Sequence, residues 1–408
     1  MDQAHGGKHI FYGWFVVAAA FTVTFVGFGS AYTFSAFVTP LQAEFGASRG
    51  SVSLVFSLAG FLYFGLGVLS GPLADRWGSR SMAVLGMLLT GAGLALASAA
   101  QTLVQVYIAY GLGVGLGVGL SYVPAVGAVQ RWFVRRRGFA SGIAVAGIGV
   151  GTLLMPPLAA ALIVALGWRH AYLVLGVLAA LLGAGMSLLI RNDPRERGLA
   201  PDGGPAQAVH AAAVPAGMSI REAVRSRRFI GLYLGCLVSS FGLFVPFAHL
   251  VPYATDHGVP AARAVLLVGV IGIGSTAGRL LLGDVADRLG RGPSLLVMFA
   301  GMAASLVVWA CSGGFAMLAV FALVYGIFYG GYVALLPALV MDNFGGRNVS
   351  GIIGILYTSI AFGTLIGPSA TGYAFDASGS YTVAILLGAA ADLLGAAIVG
   401  WSARRGAR

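Results

Sequence analysis

Leu266–Arg288 reads LLVGVIGIGSTAGRLLLGDVADR. Its first part, with the preceding Val265, is apolar as far as Leu282 and carries one charge, Arg279; its last part, GDVADR, is polar. A run of that length and composition predicts a transmembrane helix that ends at a membrane surface. A guanidinium stays charged at any workable pH, and placing one at the centre of a bilayer costs roughly 2.5–3.5 kcal/mol on insertion scales. Such a residue is expected to face a bundle interior and meet an anion or a polar partner. Gly272, Ser275 and Thr276 recur at helical spacing beside Arg279 and give it a small, polar face. The competing reading is that Arg279 snorkels to the interface, because at 1.5 Å per residue it lies about 12 Å from Asp287.

The polar turn at the end of this stretch occurs twice. GPLADRWGSR (Gly71–Arg80) returns as GDVADRLGRG (Gly283–Gly292), so that Gly71, Asp75, Arg76 and Gly78 correspond to Gly283, Asp287, Arg288 and Gly290, each 212 residues on. A second pair matches RRRGFASGIAVAGIGVGTLLMP (Arg135–Pro156) with GRNVSGIIGILYTSIAFGTLIGP (Gly346–Pro368). Apolar segments resemble one another by composition alone, but matched polar turns do not. They predict two six-helix repeats in parallel orientation with a substrate site between them. The repeat also favours the interior reading of Arg279, whose counterpart is Gly67. A topological anchor would appear in both halves; a ligand-binding group need not.

Apolar segments of about 18–29 residues, separated by short polar turns, give twelve candidate spans in 408 residues that are 58% hydrophobic and 9% charged, with a mean hydropathy of +0.90. The expected class is an all-α polytopic membrane protein: residues 1–190 a first six-helix bundle, 191–228 a cytoplasmic linker, 229–408 a second bundle. Of the 24 Lys+Arg, 20 fall on the side of that linker; Arg49, Arg169 and Arg263 fall on the other and Arg279 within a span. That asymmetry predicts a cell (inner) membrane protein with both termini cytoplasmic. It also assigns the net charge of +11 to membrane orientation and not to nucleic acid. The linker is rich in Pro, Gly and Ala and reads as flexible. Its end, SIREAVRSRRF, reads as a short amphipathic helix on the anionic leaflet with Arg221, Arg225 and Arg228 on one face. Cys236 and Cys311 both lie in predicted spans, so no disulfide is expected. No cleavable signal peptide, metal site or cofactor is expected. Paired acids, a metal cluster or a nucleophile beside a base would mark a membrane enzyme, and none of these face each other.

The recurring G-x-x-x-D-R-x-G turn is similar to the signature of the major facilitator superfamily. More narrowly, YGWFVV (Tyr12–Val17) and WFVRRRGFASGIAVAGIGVG (Trp132–Gly151) resemble the two signatures of the monocarboxylate transporter family, and the likeness spans the whole chain. In that family a helix-8 arginine is held to bind the substrate carboxylate, and Arg279 matches its position. Oxalate–formate exchangers are relatives that also use a helix-8 arginine. Two positions depart from the animal members: a helix-1 lysine is replaced by Ala36, and an aspartate one turn before the arginine by Ser275. Helix 11 also lacks the second cation of the oxalate exchangers. The resemblance therefore implies a secondary transporter of small monocarboxylates, lactate- or pyruvate-like, working by alternating access with proton symport. The alternative is an organic-anion exchanger of the oxalate/formate kind. The expected partners are the anion, a proton and the lipid bilayer.

The remaining candidates follow from polar groups inside apolar helices. Tyr325, Tyr329 and Tyr332 share one face of helix 10 at i, i+4, i+7, and Tyr122 holds a corresponding place in helix 4. Buried phenols need partners, so Tyr122, Tyr329 and Tyr332, with Tyr32 and Tyr357, are expected to hydrogen-bond a carboxylate or hydroxyl beside Arg279 and Ser275. His249 lies well inside helix 7 and is a candidate both for the substrate and for the proton; Asp392, alone in helix 12, is a second proton candidate. Asp256 is expected to be solvated. Asp75, Arg76, Asp287 and Arg288 are expected to latch one conformation from the turns. GLGVGLGVG (Gly111–Gly119) is not a dinucleotide fingerprint; small residues there let helices approach closely.

Overall fold

The computed structural model describes residues 11–203, 217–345 and 348–405. Among them ten helices are long and apolar enough to cross a bilayer, and a pair bent by 45° between Gly65 and Gly67 makes an eleventh. One of the ten, Gly138–Ser187, runs for 50 residues, about twice what a bilayer requires. It is broken at Gly167, whose φ of 80° and ψ of 162° are not helical. Its two limbs are separate spans, and twelve result. We number them α1 (Gly13–Phe45), α2 (Arg49–Gly65 and Gly67–Trp77), α3 (Ser79–Ser98), α4 (Leu103–Trp132), α5 (137–166), α6 (168–187), α7 (Arg227–Asp256), α8 (Ala261–Leu289), α9 (Arg291–Ala310), α10 (Phe315–Phe344), α11 (Val349–Ser378) and α12 (Thr382–Arg405).

Breaks fall where the backbone demands them. The kink in α7 comes at Phe244, immediately before a turn containing Pro246, which has no N–H to donate and disfavours helix in the residue ahead of it. On the linker, Ser219 and Glu222 form a reciprocal capping box on a helix that spans only Ile220–Arg225. The extended Ser226 (ψ 143°) ends it and caps the next, so Arg228 belongs to α7 and not to the face expected for it. Asp193 caps a short turn, and its hydrogen bond from Arg195 holds the carboxyl below its usual range. The described linker ends are tied to equivalent turns of the two repeats. The Asp202 carboxylate accepts from the amides of Val134 (3.0 Å) and Arg135 (2.8 Å) between α4 and α5, and Met218 N–H donates to Phe344 O (2.8 Å) at the end of α10.

The first six helices meet the last six along two main seams, α2 against α11 and α5 against α8. These are the four helices that carry the recurring motifs, and the repeat converts one seam into the other. Both seams bring backbone to backbone: a Cβ on Gly272 would lie 2.7 Å from Gly149 O, and one on Gly372 would lie 2.7 Å from Gly50 Cα. Within the second half, α8 packs on α10 just as closely, since a Cβ on Gly278 would lie 2.0 Å from Ile327 O. That atom belongs to the helix backbone and has no rotamer to escape into. Gly278→Val is therefore expected to destabilise the protein by about 3 kcal/mol or more. A thermal melt in detergent should show this as a lowered Tm, against Gly142→Ala, where nothing lies within 4 Å, as the neutral control.

Candidate functional site

A cavity lies between the halves, midway along the helices. Phe28 and Tyr32 of α1, Phe64 of α2, Tyr122 of α4 and Ile148 of α5 line it from the first half. Leu243 and Phe244 of α7, Arg279 of α8, four residues of α10 (Tyr329, Tyr332, Val333, Leu336) and Tyr357 and Ile360 of α11 line it from the second. It encloses about 430 Å³ of space, part of it open to solvent. The walls are five phenols, three phenyl rings and aliphatic groups around a single guanidinium.

Arg279 reaches across the α5–α8 seam. Its Nη1 donates to Val145 O at 2.7 Å, which fixes the plane of the group. Nε and Nη2 are buried without a hydrogen-bond partner among the described residues. Two neighbouring N–H groups on one edge of a guanidinium match the two oxygens of a carboxylate, and leaving such donors unmet in a buried site is costly. The snorkelling alternative is not what the geometry shows.

Of the residues singled out in the sequence, Arg279, Tyr32, Tyr122, Tyr329, Tyr332 and Tyr357 come together in this cavity. Tyr32 and Tyr329 join the halves through a 3.3 Å contact between hydroxyls, and Tyr32 stacks on Phe247. The Tyr332 hydroxyl meets the Cys236 thiol and no oxygen or nitrogen partner. Tyr325 shares their helix face, but its hydroxyl donates to Leu243 O at 2.6 Å and closes the kink of α7. Ser275 lies outside the lining: its carbonyl is pressed against α10 at Gly330, and its buried hydroxyl has no partner among the described residues. Asp392 also lies outside. One of its oxygens accepts from Ser239 of α7, and the other is buried without a partner among the described residues. Arg76 and Arg288 are exposed on the linker side, and the side chains of Asp75 and Asp287 fall outside the described residues.

His249 lies away from the cavity, in a network on the side opposite the linker. Its Nε2–H donates to Pro368 O of α11 at 2.7 Å, and Nδ1 lies 3.1 Å from the Tyr381 hydroxyl. A backbone carbonyl can only accept, so the proton on Nε2 follows from the partner, and Nδ1 takes the phenol's hydrogen. The Tyr381 oxygen in turn accepts from Arg49 Nη1 at 3.0 Å. Arg49, of the first half, grips Asp256, of the second, with both Nη atoms (2.5 and 2.7 Å) and lies over the Phe375 ring at 4.1 Å. The Asp376 carboxylate accepts from the backbone amides of Arg49 (2.9 Å) and Gly50 (2.8 Å). Asp256 is thus paired and not merely solvated. This cluster ties the halves together on that side. In contrast, Arg169–Glu44 and Arg291–Asp342 each stay within one half. The cluster's signal in the sequence was slight: one arginine and two acids in turns of a face otherwise poor in charge.

Known proteins of the same shape can now be set beside this geometry. The chain superposes on the crystal structure of a bacterial homolog to the human lysosomal transporter Spinster, in an inward-facing and unoccupied conformation. The TM-score is 0.68 over 98% of this chain and 96% of that one, at 17% identity, a likeness of fold. By sequence it is 30% identical over 405 residues to human monocarboxylate transporter 11, covering 95% of this chain and 82% of that protein. It is 32% identical over 385 residues to mouse monocarboxylate transporter 3, covering 92% and 76%. Rat monocarboxylate transporter 12 matches at 28% over 415 residues, covering 96% and 85%. Residues 19–316 also match the family model of the Major Facilitator Superfamily. The chain belongs to that superfamily and, within it, to the monocarboxylate transporter family.

Proposed function

We propose that this protein carries a small monocarboxylate, lactate- or pyruvate-like, across the cell membrane by alternating access, with a proton moving alongside. One observation carries the reading: the Nε–Nη2 edge of Arg279, unmet and buried in a cavity between the halves. A single permanent cation balances a single carboxylate; a dicarboxylate would bring a second charge with nothing to meet it. The phenols of Tyr32, Tyr122, Tyr329, Tyr332 and Tyr357 supply hydrogen bonds for an oxygen on the second carbon, and the phenyl rings take the short apolar tail. In this reading the halves, 1–190 and 229–408, part about the linker 191–228 to admit and release the acid. Arginine asymmetry supports a cytoplasmic linker and cytoplasmic termini. The Arg49 cluster then closes the outer side.

Symport follows from the cost of moving charge. An anion entering an inside-negative cell is opposed by about 2.3 kcal/mol per 100 mV, and a co-transported proton cancels this. His249 and Asp392 are the candidates for carrying it. Organic-anion exchange is the second reading, favoured by one observation: no carboxylate or imidazole is among the described residues lining the cavity. Proteoliposomes separate the two. A symporter accumulates labelled lactate when the outside is acid and stops when a protonophore is added. An exchanger takes up label only against internal anion and shows no net uptake under the same gradient.

A further inference from the structure

On the linker side of the second half, α7 and α12 leave a groove with about 790 Å³ of open space facing the lipid. Ile230, Leu234 and Ile398 form its walls, Gly231 and Ser402 its floor, and Arg227 and Trp401 flank its mouth. The depth profile follows from the helices. Arg227 begins α7 beside the linker, and Leu234 is about 10 Å further into the membrane at 1.5 Å per residue. Trp401 stands near the end of α12, 59% exposed, where an indole suits the boundary between headgroups and hydrocarbon. The floor is bare because the helices cross tightly there: a Cβ on Gly231 would lie 2.1 Å from Ser402 Oγ. The groove is therefore cationic at the mouth and apolar below.

Among the described residues nothing engages the cation at that mouth. Arg227 is exposed, and no acceptor among the described residues reaches its guanidinium. Arg221 and Arg225, on the short helix that leads into α7, are exposed beside it in the chain. A groove of similar size, about 820 Å³, lies between α3 and α4; its lining is equally apolar, but its only side chain with hydrogen-bonding groups is the uncharged Gln105. The α3–α4 groove opens toward the face opposite the linker, and the arginine nearest it, Arg169, is already paired with Glu44, so only the α7–α12 groove has a cation in its lining.

We propose that the α7–α12 groove binds one anionic phospholipid, its phosphate on Arg227 and an acyl chain along Ile230, Leu234 and Ile398. Charge complementarity selects the occupant: a phosphate diester meets an unopposed guanidinium at headgroup depth, and a zwitterionic lipid brings its own cation to the same place. The site depends on the chain spanning a membrane and is independent of what the central cavity carries.

Native mass spectrometry of the full chain in detergent tests this, with phosphatidylglycerol and phosphatidylcholine of identical acyl chains titrated in turn. The wild type is expected to retain a first phosphatidylglycerol about tenfold more tightly than phosphatidylcholine. Arg227→Gln should remove that preference and leave the weak, unselective adducts of the α3–α4 groove. Leu234→Trp, which fills the depth and spares the charge, should weaken the first adduct of either lipid. Both positions are exposed, so neither change threatens the fold. Equal retention of the two lipids by the wild type, or an unaltered preference in Arg227→Gln, would overturn the assignment.

Discussion

Arg279→Ala is expected to reduce monocarboxylate uptake in proteoliposomes by two to three orders of magnitude. Removing one partner of a buried ion pair costs about 3–5 kcal/mol, because the other charge is left unmet. The transported anion would be that other charge. Arg279→Lys keeps the charge but loses the parallel N–H pair, and the shorter ammonium must also give up the Val145 carbonyl that now orients the group. Its uptake should fall by about tenfold to a hundredfold. Thermal melts divide binding from folding. A saturating monocarboxylate should raise the Tm of the wild type and leave that of Arg279→Ala unmoved, while the ligand-free values stay close. Uptake unchanged in Arg279→Ala would remove the proposed site and leave the fold untouched.

Arg49→Ala should shift the resting protein toward a form open on the side opposite the linker. The substitution removes both contacts to Asp256, the bond to Tyr381 and the stacking on Phe375, and it strands Asp256. The pair is partly wet, with side-chain exposures of 15% and 33%, so the expected shift is modest in energy, about tenfold in population. Asp376 would still hold the two amides at the start of α2, which limits the effect. Spin labels at Ala43 and Ala377, in the two halves on that face, should report a longer distance population in Arg49→Ala than in the parent. Asp256→Asn should act in the same direction and less strongly. A distance distribution that does not respond to either change would mean that the cluster decorates the closed face without holding it.

What could be read from the chain in advance was whatever is local. A charge inside an apolar run marks Arg279, and helical spacing places Tyr329 and Tyr332 together. The repeated turns name the four helices that form the seams. Spacing alone could not say which part of a shared face opens on the cavity: Tyr325 satisfies the same periodicity but spends its hydroxyl on Leu243, and Ser275, a turn from Arg279, is pressed into α10. The His249 network was illegible for a different reason. Arg49 meets Asp256 and Tyr381 across 207 and 332 residues of sequence, and no local pattern encodes such partners. The linker helix was misjudged by one turn because a serine that caps the following helix also stops the preceding one.

The glycines on the seams bear on how fast such a molecule can turn over. Gly272 lies against the Gly149 carbonyl on one seam and Gly372 against Gly50 on the other, so at these two points backbone rests on backbone. Surfaces that interlock through side chains must lift out of one another's teeth before they slide, whereas smooth ones shear with little friction. In the carrier cycle proposed above, a methyl group added at Gly372 would act as a brake, slowing each turn, while the chamber around Arg279, which borders the other joint, stays as it was.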